Sequence, residues 1–120
     1  MGTLVAEDDR STLDAVLAML EELGIEDVDV ANNGEQALSS MGKNSYEVLL
    51  LDLMMPKVDG YQVLKEIRQG KVDRPNRVIV MSAHARPDEL EGLLTLGADK
   101  FIPKPFTLNE LESALDGNNL

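Results

Sequence analysis

The sequence predicts an α/β fold: a single doubly wound (βα)5 sandwich, one five-stranded parallel sheet with helices on both faces. Three observations carry that prediction. Five short apolar runs alternate with five segments whose apolar residues recur at helical spacing. Two of the runs, Val48-Leu49-Leu50-Leu51 and Val78-Ile79-Val80-Met81, have no polar alternation, as expected of central parallel strands buried on both faces. Four of the runs stop directly on a polar or charged residue, and the fifth reaches Lys104 after one proline, which places those residues at the rim of the core.

The elements follow in order. Thr3-Leu4-Val5-Ala6 is the first strand and stops at Glu7-Asp8-Asp9. Leu13, Val16, Leu17 and Leu20 fall on one face of the first helix, with Asp9 or Ser11 to cap its start and Gly24 to suit its end. Val28 to Ala31 is a short second strand. Asn32-Asn33-Gly34 is turn chemistry, and Ala37, Leu38 and Met41 mark a short helix after it. The third strand, 48–51, ends at Asp52. A helix carrying Val63, Leu64 and Ile67 starts after Asp59-Gly60. The fourth strand, 78–81, ends at Ser82. Leu90, Leu93, Leu94 and Gly97 mark the fourth helix, with Pro87 near its first turn. Phe101-Ile102 is the last strand and leads to Lys104-Pro105. Thr107 caps a final helix with Leu108, Leu111 and Leu115, and Gly117-Asn118-Asn119 reads as a terminus or the start of a linker. Met19, Met41 and Met81 sit at core spacing, while Glu21-Glu22 and Asp88-Glu89-Glu91 read as solvated helix faces.

Composition bounds the function. At 120 residues and 13.1 kDa, residues 1–120 make one ordinary domain, large enough to bury a core without cross-links. There are 22 Asp and Glu against 11 Lys and Arg, a net charge of -11. So acidic a surface repels phosphate backbones, which disfavours direct nucleic-acid or anionic-membrane binding. The absence of Cys excludes a disulfide scaffold, a thiolate nucleophile and a zinc-thiolate site, and the lone His84 excludes a multi-histidine metal site. His84 itself reads as a surface loop residue. No apolar run approaches a membrane span and no signal-peptide pattern opens the chain, so a cytoplasmic protein is expected.

In an open parallel sheet, ligands bind outside the carboxyl ends of the strands. Strand one delivers Glu7, Asp8 and Asp9 there; strand three delivers Asp52, strand four Ser82 and strand five Lys104. Alone, Asp52 reads as a cap, Ser82 as a turn residue and Lys104 as a solvated lysine. Together they form a site. Several carboxylates a few ångströms apart repel one another unless one is protonated or a cation binds. A donor set of carboxylates and carbonyls suits Mg2+ or Mn2+, and Mg2+ leaves coordination positions open to a phosphoryl oxygen. Asp52 can then accept a phosphoryl group as a carboxylate nucleophile. Lys104 would neutralise charge on the phosphoryl oxygens, and Ser82 would donate a hydrogen bond to one of them.

On these residues the sequence resembles the receiver domain of two-component response regulators over essentially its whole length. The anchors are Leu4-Val5-Ala6-Glu7-Asp8-Asp9, Leu50-Leu51-Asp52-Leu53-Met54-Met55-Pro56, Asp59-Gly60, Met81-Ser82-Ala83, Gly97-Ala98 and Lys104-Pro105-Phe106. Each is weak alone; in this order and spacing they are specific. The resemblance implies a flavodoxin-like sheet of order 2-1-3-4-5, for which receivers are themselves a defining example, so the order is not an independent derivation. It implies that Asp52 is the phosphoacceptor, with Asp8 a direct Mg2+ ligand, Glu7 acting through water, and the backbone carbonyl of Met54 the third protein ligand. Asp9 falls just beyond the acidic pair. Ser82 matches the switch hydroxyl, Lys104 the phosphate-binding lysine, and Lys104-Pro105 a bond usually cis in receivers. Phe101 matches the aromatic switch position, or is plain core. Ala6 replaces a larger aliphatic residue, and Met54 and His84 occupy variable positions bordering the site.

The expected function is a phosphorelay switch. A histidine kinase or histidine phosphotransfer protein donates to Asp52, and the face of helix four, strand five and helix five, roughly Pro87 to Leu115, then changes shape for an effector, a partner protein or a second copy of the chain. Such a domain assists its own phosphorylation without being a turnover enzyme. A haloacid-dehalogenase-type phosphatase would want an Asp where Met54 stands, and a flavin carrier would want a hydroxyl- and Gly-rich loop where Glu7-Asp8-Asp9 stands. A phosphorylation-independent pseudo-receiver is the alternative that intact Asp52 and Lys104 argue against.

Overall fold

The computed structural model describes residues 2–83 and 87–116. Five strands alternate with five helices: β1 (Gly2–Ala6), α1 (Arg10–Glu22), β2 (Val28–Ala31), α2 (Gly34–Lys43), β3 (Tyr46–Asp52), α3 (Gly60–Arg68), β4 (Arg77–Ser82), α4 (Pro87–Thr95), β5 (Lys100–Pro103) and α5 (Leu108–Leu115). Every strand pairing is parallel, and the order is β2-β1-β3-β4-β5. The expectations for His84 and for Gly117-Asn118-Asn119 fall outside the described residues, as do those for the side chains of Asp88 and Leu90.

Period-two alternation splits the strand residues between two apolar layers. Val5, Leu50, Ile79, Met81 and Ile102 meet Leu13, Val16 and Leu20 of α1 and Leu111 of α5. Leu4, Leu49, Leu51, Val78 and Val80 meet Ala37 and Met41 of α2, Val63, Leu64 and Ile67 of α3, and Leu93 of α4. Each fully buried Leu or Ile contributes about 1.5–3 kcal/mol relative to exposure, so the central strands β1, β3 and β4 anchor the fold.

Side-chain caps start the helices where the polar punctuation stands. Of the two candidates for α1, Asp9 is the cap: its carboxylate accepts from the Thr12 amide at 2.9 Å and the Thr12 hydroxyl at 2.7 Å. Gly24 follows the last turn of α1 with φ 82, the left-handed conformation that favours glycine there. Asn33 turns out to be the N-cap of α2 within the expected turn, Asp59 caps α3, and Thr107 with Glu110 forms a capping box on α5.

On α4 the spacing marks the helix, but two of its residues have surroundings that spacing does not show. Leu94 does not join the core; it is 54% exposed while Leu93 is fully buried. Leu93 faces the sheet, and Leu94, about 100° further round the helix, turns to solvent. Glu89 is not a purely solvated acid. It is half-buried and accepts the Tyr61 hydroxyl of α3 at 3.3 Å, because the first turns of α4 lie beside α3.

The end of the sheet where β4 and β5 begin collects cations. Arg68 donates to the carbonyl of Thr95. Arg74 donates to the carbonyl of Gly97 and to Asp99, both at 2.9 Å. Asp99 also accepts the Val78 amide at 2.8 Å. Arg77 and Lys100 donate to the carbonyls of Leu115 and Ser113 in α5. Cations thus sit at the negative ends of α4 and α5, where helix carbonyls lack partners.

Candidate functional site

The opposite end of the sheet gathers the candidate residues. Register explains how. Ala6 pairs with Leu51, so Glu7 and Asp52, one step further, emerge side by side between neighbouring strands. Glu7 lies two residues after Val5, Asp52 two after Leu50 and Lys104 two after Ile102, and all three predecessors pack in the α1/α5 layer. The pleat therefore sends all three side chains to that side. The strand order reverses at β1 and β3, which makes this the topological switch point of the sheet.

The charges meet there at close range. The Lys104 ammonium donates to Glu7 Oε1 at 2.7 Å and stands 3.3 Å from Asp52 Oδ1. Glu7 is wholly buried, Asp52 nearly so, and Asp8 is exposed. One carboxylate oxygen from each of Glu7, Asp8 and Asp52 lies within 4.8 Å of the others. Burial pushes the Glu7 carboxyl above its ordinary value of 4.5; the Lys104 contact opposes that rise and the neighbouring Asp52 adds to it. Burial alone would lower Lys104, but its bond to Glu7 and the charge of Asp52 prevail and hold it above its ordinary value of 10.5.

Among the described residues three acids stand against one lysine, an excess of negative charge at a partly closed rim. Their donors are all oxygen, two are buried, and Asp8 opens to solvent; that set fits a hard divalent cation of the Mg2+ type. The cluster lies in an open cleft of about 670 Å³. Beside it the cleft is lined by Thr12, Val16 and Met19 of α1 and by Phe106, so one wall is apolar.

Each candidate can be located. Asp9 is diverted from the cluster by capping α1; its amide donates to Glu7 Oε2 at 3.2 Å, and its bonds from Thr12 hold its carboxyl below the ordinary value of 3.8. The Asp-x-x-Thr spacing was the legible sign of this cap. Met54 follows β3 at the cleft with its side chain 64% exposed. The Lys104-Pro105 bond is cis. Ser82 ends β4, buried, but two residues after Val80, whose layer is that of α2, α3 and α4. It does not line the cleft, whereas Ala83 does. Phe101 is partly buried against the same α2–α4 layer. The apolar wall formed by Val16, Met19 and Phe106 was not read as part of the site, because core spacing accounts for those residues equally well.

Comparison with known proteins shows the family and the fold. A family profile described as the response regulator receiver domain matches residues 3–116. A transcriptional regulatory protein CpxR homolog of Haemophilus influenzae is 42% identical over 113 residues, 92% of this chain and 47% of that protein. The chain thus spans about half the length of the curated relatives it matches. Among solved structures, the receiver domain of a Francisella response regulator superimposes with a TM-score of 0.86 at 34% identity, covering 96% of this chain and 93% of that one. The receiver domain of a Pseudomonas aeruginosa sensor histidine kinase gives 0.85 at 31% identity over 98% and 97% of the two chains; its structure holds a magnesium ion in the active site cleft.

Proposed function

The chain belongs to the response regulator receiver domain family, and we propose that it acts there as a phosphoacceptor switch with Asp52 as the acceptor. The observation that carries this reading is that Asp52 stands 3.3 Å from the Lys104 ammonium and has a carboxylate oxygen within 4.8 Å of one from each of Glu7 and Asp8. A bound Mg2+, with Mn2+ as a substitute, would be held by Asp8, Asp52, the Met54 carbonyl and, through water, Glu7, and would neutralise charge on the transferring oxygens. From a phosphohistidine donor, an Asp52 oxygen forms the new P–O bond as the P–N bond breaks and its electron pair leaves on the imidazole nitrogen. Lys104, bonded to Glu7 and within reach of Asp52, would turn part of its charge to the phosphoryl group.

The donor would be a histidine kinase or a histidine phosphotransfer protein. Ser82 and Phe101 lie toward the α4 layer of the sheet, which supports a readout through α4, β5 and α5. Ser82 would move toward the phosphoryl group and Phe101 into the space it leaves, biasing a pre-existing equilibrium. That face would contact an effector domain, a partner protein or a second copy of the chain. No helix among the described residues is long and apolar enough to cross a membrane. We place the domain in the cytoplasm, as a switch and not a turnover enzyme, with residues 1–120 as one domain.

Intact-mass spectrometry after incubation with acetyl phosphate tests the reading, with and without Mg2+, on the parent and on Asp52→Asn. The expected result is a metal-dependent phosphoryl adduct on the parent and none on the variant. A folded, Mg2+-binding parent that takes up no phosphoryl group from acetyl phosphate or from a phosphohistidine donor would establish a phosphorylation-independent interaction module instead.

A further inference from the structure

The loop between β3 and α3, residues 53–59, begins at Asp52 and carries the Met54 carbonyl. Two glycines confine it. At its far end the Gly60 amide donates to the Leu53 carbonyl at 3.0 Å. A Cβ on Gly60 would stand 2.6 Å from the Asp52 carbonyl oxygen and 2.7 Å from the Leu53 Cα. Near the same end, at Val58, the loop meets Gly34, the first residue of α2, from a distant part of the chain. A Cβ there would overlap the Val58 carbonyl oxygen and stand 2.7 Å from the Val58 carbonyl carbon and 2.8 Å from its Cβ. The obstacle is backbone, so no side-chain rotation relieves it.

Helix α2 cannot easily withdraw. Asn33 accepts the Gln36 amide at 2.8 Å, and Gln36 in turn accepts the Asn32 amide at 2.8 Å, which fixes the first turn at both ends. Ala37 and Met41 bury the rest of the helix in the core. The loop in turn adopts a bent form, with Lys57 at φ 68 immediately before Val58. A rigid helix start therefore sets how deep Val58 sits, and the short backbone from Val58 to Met54 passes that depth to the site.

From this contact we infer that Gly34 is a positioning residue for the metal-binding loop, acting through Val58 on the Met54 carbonyl and Asp52. The inference rests on the reading that this loop helps to hold Mg2+. Residues that orient metal ligands without touching the ion typically matter by 10–100-fold in affinity. Gly42 supplies the internal control, since it lies in the same helix and a Cβ there meets nothing within 4 Å.

The test measures the Mg2+ dissociation constant by titration calorimetry on the whole chain, with circular dichroism to confirm folding. Gly34→Ala should weaken Mg2+ binding about tenfold, and Gly42→Ala should leave it unchanged. Adding Lys57→Gly to Gly34→Ala should recover part of the loss, because glycine lets the bend relax. In the parent, Mg2+ should slow amide hydrogen exchange in the first turn of α2 as well as in residues 53–60, a readout that needs no variant. A folded Gly34→Ala that binds Mg2+ like the parent, or exchange in α2 indifferent to Mg2+, overturns the inference alone. A parent that binds no Mg2+ overturns the functional reading and this inference with it.

Discussion

The two ends of the sheet use charge in opposite ways. Where β4 and β5 begin, Arg68, Arg74, Arg77 and Lys100 each reach a carbonyl at or beyond the end of a helix, and Arg74 also reaches Asp99. The Arg74–Asp99 pair is wet, at 42% and 39% exposure, and each charge has a partner. Where the strands finish, Glu7, Asp8 and Asp52 share a single lysine among the described residues, and Glu7 and Asp52 are dry. Matched, wet charge tidies a surface. Unmatched, dry charge lowers stability unless something else binds, so an electrostatic deficit kept in a core rim specifies a ligand.

Lys104 is the one cation at the acidic rim among the described residues, and removing it should have the largest effect. Lys104→Met leaves Glu7 and Asp52 buried without their partner, and should lower unfolding free energy by about 3 kcal/mol, read by urea titration at neutral pH. A loss below about 1 kcal/mol would mean that the rim is better solvated than its burial implies.

Divalent cation should repair the deficit that the other end of the molecule does not have. At 100 times its dissociation constant, Mg2+ should add about 2.7 kcal/mol, seen as a rise in thermal midpoint that Asp8→Asn removes. The pH dependence sharpens this. Because burial raises Glu7 above 4.5, its protonated form is favoured in the fold. Its stability contribution is therefore full below 4.5 and is lost as pH rises through the raised folded value. Thermal midpoints of the metal-free protein should fall through that window, Glu7→Gln should flatten the fall, and Mg2+ binding should release protons there.

The smallest effect belongs to the matched end. Arg74→Ala removes an exposed pair and should change stability by about 1 kcal/mol or less, diminishing with salt. A loss as large as that of Lys104→Met would abolish the contrast between the two ends.

The alternation of short apolar runs with helical spacing was enough to read every strand and helix, because central strands buried on both faces are short continuous apolar runs while the helices repeat every three to four residues. The candidate residues were legible for the same reason: Glu7 and Asp52 directly follow a run, and Lys104 follows one after Pro103. Their strand order came from family resemblance, since nothing local to β1 says that β3 and not β2 lies on its other side. What periodicity could not give was competition between local and distant partners. Asp9 looks identical to Asp8 in sequence until Thr12 claims it as a cap. Leu94 has the spacing of a core residue, yet Leu93 faces the sheet and Leu94 turns to solvent. Gly34 reads as turn chemistry, and only the approach of Val58 gives it a reason to lack a side chain.

The sheet is open, and its two outer strands, β2 and β5, have four residues each. An unpaired strand edge invites another chain to add itself. Here β2 carries Asp29, fastened at 2.6 Å by the Tyr46 hydroxyl, and β5 opens with Lys100 and closes with Pro103, which has no amide hydrogen to donate. Short, charged and proline-ended margins make poor templates for a growing ribbon. The same sheet that must stay continuous to carry its site is thereby kept from continuing into its neighbours when the protein is concentrated.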